Sequence, residues 1–225
     1  MNSASATKRI MWDDKNLTLT TGDEDRFGFF ITTDYPGREG TEYGVGVHAE
    51  EGEFLYSLIK IIRPKLVLET GTNVGISGRY IALGLADNGG GVLDTIEHDG
   101  EIAKQARLKI KAPGVTVNVL NMSTSEFVPT EQYDMMFFDS DPKDRFADMD
   151  RMFDHLNPGG IVGVHDQKNV ENEGNIMGDI AAGIKDRIHV GELRGMVFMT
   201  DHGLCVFQKP FEQDWIRDAI KQEAK

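Results

Sequence analysis

Residues 67–78 read VLETGTNVGISG: an apolar run ends in a carboxylate, Glu69, and is followed by glycines at 71, 75 and 78 and a serine at 77. A glycine turn between strand and helix lets a ligand approach bare backbone amides, and the helix start beyond it favours a negative group. The GxxxGxxG spacing departs from the GxGxxG of dinucleotide sites, and Glu69 stands where a pyrophosphate would be repelled. The ligand these residues suit has positive charge beside Glu69 and an anionic group for the amides and the Ser77 hydroxyl. Further along, Glu97, Asp139 and Asp166 each close an apolar run, so three more acids are predicted at strand tips.

S-adenosylmethionine meets both requirements, with its ammonium and sulfonium on one side and its carboxylate on the other. Glu97, at the end of the second predicted strand, suits the two ribose hydroxyls of an adenosine. Asn121, Met122, Ser123 and Thr124, after the third strand, are placed either to contact an adenine edge or simply to form a turn. Open α/β sheets bind ligands beyond the carboxyl ends of their strands, so Asp139 and Asp166 are expected to converge on one crevice. Two converging carboxylates, completed by water and other oxygens, would suit Mg²⁺, with Ca²⁺ or Mn²⁺ as substitutes. Zinc is disfavoured by the single cysteine and the lack of paired histidine spacing. Strand alternation turns His165 away from its neighbour's face, so it is expected as a packed strand residue and not a ligand. Asp141 is expected in a loop.

Four segments in order, HAEEGEFLYSLIKIIRPKLVLETGTNVGISG (48–78), TIEHD (95–99), YDMMFFDSDPKDRF (133–146) and GGIVGVHDQ (159–167), resemble the cation-dependent O-methyltransferases typified by catechol and caffeoyl-CoA O-methyltransferase. The resemblance covers about half the chain. It implies a cation held by Asp139, Asp166 and Gln167, a catalytic pair of Asp139 and Lys143, and a homodimer. The donor set drawn from the residues and the resemblance together is Val47, Glu69, Gly71, Asn73, Gly75, Ser77, Glu97, His98, Ser123, Thr124 and Asp139. Two departures stand out: Gln167 replaces the usual asparagine, and Lys143 falls four residues after Asp139 where the family has three. The expected reaction is methyl transfer from S-adenosylmethionine to a hydroxyl of a small acceptor with vicinal oxygens, such as a catechol. The alternatives are a cation-independent small-molecule methyltransferase, a non-catalytic S-adenosylmethionine-binding module and, more remotely, a nicotinamide-dependent oxidoreductase.

The elements that must position these residues alternate as in a parallel sheet wrapped by helices. Strands are predicted at 66–69, up to Glu97, and at 115–120, 133–139 and 160–166. A terminal hairpin follows, with strands near 195–200 and 204–207 around Asp201-His202-Gly203. Helices are predicted at 77–86 and 101–110. One further stripe is Phe146, Met149, Phe153 and Leu156, and another is Ile176, Ile180, Ile184 and Ile188. An upstream helix places Phe54, Leu55, Leu58, Ile61 and Ile62 on one face. The predicted class is α/β, a doubly wound, Rossmann-like, mostly parallel seven-stranded sheet with an antiparallel terminal hairpin strand. One domain is expected over 1–225, with residues 1–47 an arm or cap carrying Trp12, Phe27, Phe29 and Phe30.

Composition narrows the partners. A formal net charge of -13 over 225 residues repels polyanions, so nucleic acid is not expected as a partner. No apolar run approaches the roughly 20 residues of a membrane span, and no signal core opens the chain. A single cysteine, Cys205, fits a reducing cytoplasm.

Overall fold

The computed structural model describes residue 47 and residues 49–166, 194–198 and 203–211. The predicted arm (Val47 apart), Gln167 and the isoleucine stripe from Ile176 to Ile188 lie outside the described residues. Seven strands form one sheet: β1 (Leu66–Thr70), β2 (Gly91–Glu97), β3 (Val115–Asn121), β4 (Tyr133–Phe138), β5 (Leu156–His165), β6 (Arg194–Phe198) and β7 (Leu204–Gln208). Their spatial order is β3-β2-β1-β4-β5-β7-β6. The first five run parallel, and β7 is antiparallel to both β5 and β6. The predicted class and the terminal hairpin are thus both observed. The order reverses between β1 and β4, so the crevice expected at a topological switch point lies beyond the tips of these two strands.

Four α-helices are described: α1 (Ala49–Ile62), α2 (Ile76–Asp87), α3 (Gly100–Lys109) and α4 (Pro142–Met152). Strands β1 and β4 are almost wholly buried, as their near-continuous apolar runs require in a sheet covered on both faces. Helix α1 packs closely on α2 because glycines meet large side chains. A Cβ on Gly52 would fall within 2.1 Å of the Tyr80 ring, and one on Gly84 within 2.7 Å of Ile59. Helix α3 starts cleanly because the Asp99 carboxylate accepts from the amides of Glu101 and Ile102.

Three predicted details are corrected. Ile61 is 78% exposed, and the buried face of α1 joins the predicted Leu55 to Ile59. The stripe from Phe146 to Leu156 is not one helix: α4 stops at Met152, a 3₁₀ turn spans Phe153–His155, and Leu156 opens β5. Leu156 is drawn into the sheet by pairing with Tyr133, with a register shift before Met135, so β5 begins earlier than Gly160. All four stripe residues still pack in or against the core formed with Phe138, Val162 and Phe207. No helix among the described residues is long and apolar enough to cross a membrane.

Candidate active site

The turn after β1 is shaped by left-handed backbone. Gly71 (φ 81°), Asn73 (φ 47°) and Gly75 (φ 88°) all have positive φ, and Gly75 directly precedes α2. The amides of Gly71 and Thr72 donate to the Ile96 carbonyl, tying the turn to β2. Gly71 is required on steric grounds as well, since a Cβ there would sit 2.2 Å from the Asp139 carbonyl oxygen. At Gly78 a Cβ would come 2.9 Å from Glu69 Oε2, so the glycine makes room for the acid.

Glu69 is fully buried, and its Oε2 accepts from Thr95 Oγ1 at 2.6 Å. Its Oε1 is buried without a hydrogen-bond partner among the described residues. Burial pushes the Glu69 pKa up from 4.5 to about 7; the Ser77 and Thr95 hydroxyls pull it down, while Asp139 and Glu97 add to the rise. Because the folded state holds this proton more tightly than the unfolded chain, the contribution is favourable below about pH 4.5 and is lost as pH rises through 7. Full ionisation then costs the ligand-free fold about 3 kcal/mol. We therefore expect Glu69→Gln to flatten the fall in stability between pH 5 and 8, read as urea midpoints. An unchanged slope would show that Glu69 is already ionised in the folded protein.

Glu97, 5% exposed at the tip of β2, is held by the backbone. Its Oε2 accepts from the Asn73 amide at 2.8 Å and its Oε1 from the Asp99 amide at 2.9 Å, so the carboxylate spans the glycine turn and the start of α3. Glu69 and Glu97 therefore share one edge of the sheet. His98 is largely exposed, with Nδ1 3.3 Å from Glu97 Oε1. Ser77 and Val47 are buried. Ser123 and Thr124 form the turn that sequence allowed: Ser123 caps the short 3₁₀ segment Thr124–Glu126, and the Thr124 carbonyl accepts from Arg151.

Asp139 and Asp166 do converge, joined by a residue expected elsewhere. Asp166 has φ 55°, and this left-handed residue breaks strand alternation, leaving the His165 ring facing the same acids. His165 Nδ1 lies 2.9 Å from Asp139 Oδ1 and 3.4 Å from Asp166 Oδ1, and its Nε2 lies 2.8 Å from Glu51 Oε2. His165 is thus part of the acidic cluster, contrary to the expectation from alternation. Burial alone would lower its pKa, but Asp139, Glu51 and Asp166 together raise it to about 10. Both ring nitrogens thus face carboxylate oxygens.

Arg145, on α4, completes the cluster. Its side chain is 2% exposed, and Nη2 lies 3.2 Å from Asp139 Oδ1 and 3.0 Å from Asp166 Oδ2. The same guanidinium donates to the Ser140 carbonyl through Nε and Nη2 and to the His165 carbonyl through Nη1. Sequence reasoning passed over Arg145 and Glu51. A signal for the former was present, since Arg145, Asp148, Met149 and Met152 recur at helical steps and all are buried on one face of α4.

Ligand atoms of Asp139, His165 and Asp166 lie within 4.8 Å of one another, a separation that a metal could span. The surrounding charges do not fit one. A dication ligated by both carboxylates would stand within about 4 Å of the guanidinium, a repulsion on the order of 4 kcal/mol per unit charge at an effective dielectric near 20.

Lys143 sits in the first turn of α4, largely exposed, with Nζ 3.1 Å from Asp141 Oδ2. Asp141 is the N-cap of α4, accepting from the Lys143 amide, and Pro142 occupies the first turn. Asp141 raises the Lys143 pKa, the opposite of what a base at neutral pH needs. Lys143→Ala is expected to keep kcat within about threefold in a methyl-transfer assay; a loss above a hundredfold would restore the lysine as base.

Residues 68–167 match a family model described as a methyltransferase domain. The match covers 100 of the 225 residues. A protein of Mycobacterium sp. (strain JLS) named "Putative O-methyltransferase" is 32% identical over 120 residues, 51% of this chain and 54% of that protein. The chain spans about half the length of the curated relatives it matches. Among solved structures, an O-methyltransferase from Bacillus cereus in complex with S-adenosylhomocysteine superposes with TM-score 0.61 at 21% identity, covering 73% of this chain and 82% of that one. The O-methyltransferase TomG from Streptomyces achromogenes, in complex with S-adenosylmethionine, gives 0.60 at 19% identity with the same coverage. At such identities the two structures establish the shared fold. The matched segment runs from within β1 past Asp166, and so contains the four acid-bearing strand tips and the glycine turn.

Proposed function

We propose that this protein transfers a methyl group from S-adenosylmethionine to an oxygen of a small-molecule acceptor. The observation that carries the reading is the pairing of a buried Glu69, whose Oε1 lacks a partner among the described residues, with a backbone-anchored Glu97 across a left-handed glycine turn. The bound donor would supply an electrophilic methyl group on a sulfonium. Glu69 Oε1 is suited to the donor's ammonium, the Gly71–Gly75 amides and Ser77 to its carboxylate, and Glu97 to its ribose hydroxyls. Val47, Asn73, His98, Ser123, Thr124 and Asp139 complete the proposed donor set. Catalysis in such a site comes mainly from holding donor and acceptor in line. In this reading the enzyme is soluble and cytoplasmic, and the family resemblance implies a homodimer.

The cation-assisted version, with vicinal acceptor oxygens on Mg²⁺, would draw on Asp139, Asp166 and Gln167. Its weakness is that two of these three are already held by Arg145 and His165. Calorimetric titration with S-adenosylhomocysteine tests the donor assignment. Stoichiometric binding is expected, and no binding at millimolar ligand would end it.

A further inference from the structure

We infer that Arg145 is a built-in replacement for the divalent cation that this strand-tip arrangement holds in the family it resembles, so that Asp139 and Asp166 do not take up a metal. The inference rests on the methyltransferase reading for its consequence, though its geometry stands independently. A guanidinium is a permanent, planar cation with donors at fixed angles, and here a single Nη2 reaches one oxygen of each acid, at 3.2 and 3.0 Å. The guanidinium also donates to main-chain carbonyls at both strand tips: through Nε and Nη2 to Ser140, two residues after β4 ends, and through Nη1 to His165, the last residue of β5. The arginine therefore staples the ends of β4 and β5 and offsets half of the charge of the two acids. Its burial to 2% keeps it from swinging out to solvent to admit an ion. The helix that carries it is itself tied to the end of β4, since Asp148 accepts from the Ser140 hydroxyl at 2.9 Å and from Arg151 at 2.9 Å.

Two consequences distinguish such a site from a metal site. The positive charge is covalently attached and cannot be chelated away. The acceptor needs no vicinal pair of oxygens, because no ion waits to be bridged by two ligands. The acceptor class is therefore wider than catechols and includes molecules that present one nucleophilic oxygen, such as an isolated hydroxyl or a carboxylate.

Mn²⁺ titration of the full chain, followed by electron paramagnetic resonance, tests this directly. Native protein should leave Mn²⁺ free at ratios up to tenfold and concentrations up to about a millimolar, and its calorimetric affinity for S-adenosylhomocysteine should be the same with and without chelator. Arg145→Met, which keeps the volume and removes the charge, should bind Mn²⁺ at least tenfold more tightly than native protein. Stoichiometric Mn²⁺ on the native chain that disappears in Asp139→Asn would overturn the inference, and so would a folded Arg145→Met that binds no better than native. If that variant does not fold, the native titration decides alone. Failure of S-adenosylhomocysteine to bind would remove the donor reading without altering the Mn²⁺ result, so the two failures are separable.

Discussion

Glu97→Ala should weaken S-adenosylhomocysteine binding by at least a hundredfold. The loss has two sources on the same residue. The ribose loses a charged acceptor, and charge-assisted hydrogen bonds contribute about 1.5–3 kcal/mol each. The amides of Asn73 and Asp99 also lose the oxygens that fix them, so the glycine turn is released from the start of α3. Together these reach about 3 kcal/mol, which is a little over two decades in affinity. Glu97→Gln keeps one acceptor oxygen and should fall between the two. Calorimetry on the three proteins under one buffer checks the order, and equal affinities would show that the ribose lies elsewhere.

Gly71→Ala is expected to be the most damaging single-atom addition to the fold. The new Cβ would stand 2.2 Å from the Asp139 carbonyl, a backbone atom that cannot rotate away, and Gly71 has φ 81°. Left-handed backbone costs a non-glycine residue about 1–2 kcal/mol, and overpacking against a fixed neighbour adds about 1–3 kcal/mol. A loss of about 3 kcal/mol lowers the melting temperature of a chain this size by about 10 °C. Relief of the clash must move either the donor turn or the tip of β4, which carries Asp139, so donor affinity should fall with stability. Gly89→Ala, also at positive φ but with nothing within 4 Å of its Cβ, is the control for backbone strain alone.

Most of the scaffold was legible because its central strands, β1 and β4, are buried on both faces and read as near-continuous apolar runs between turn residues. That pattern placed Glu69, Glu97, Asp139 and Asp166 at strand tips, where they are found. It failed where a local rule was broken by tertiary contact. Alternation predicts that His165 and Asp166 face apart, and the left-handed φ of Asp166 cancels it. Helical periodicity ran Leu156 into α4, but pairing with Tyr133 makes it a strand residue. Arg145 was the larger omission, since a charged side chain on an apolar helical face is read as solvated until its partners, two strand-tip acids, are known. Those partners come from β4 and β5, and no local window of sequence contains all three.

Asp139 is the hinge of the account. Its carbonyl abuts Gly71 and its carboxylate meets Arg145 and His165, so the donor turn and the acidic cluster are joined through one residue. Changes at the cluster should accordingly be felt in donor affinity even without direct contact.

A crystal of the full chain soaked with S-adenosylhomocysteine tests the central claim most directly. The account predicts density along the Gly71–Gly75 turn, with the amino group at Glu69 Oε1 and the ribose hydroxyls on Glu97. Density for the nucleoside at any other edge of the sheet, with Glu69 and Glu97 untouched, would contradict it.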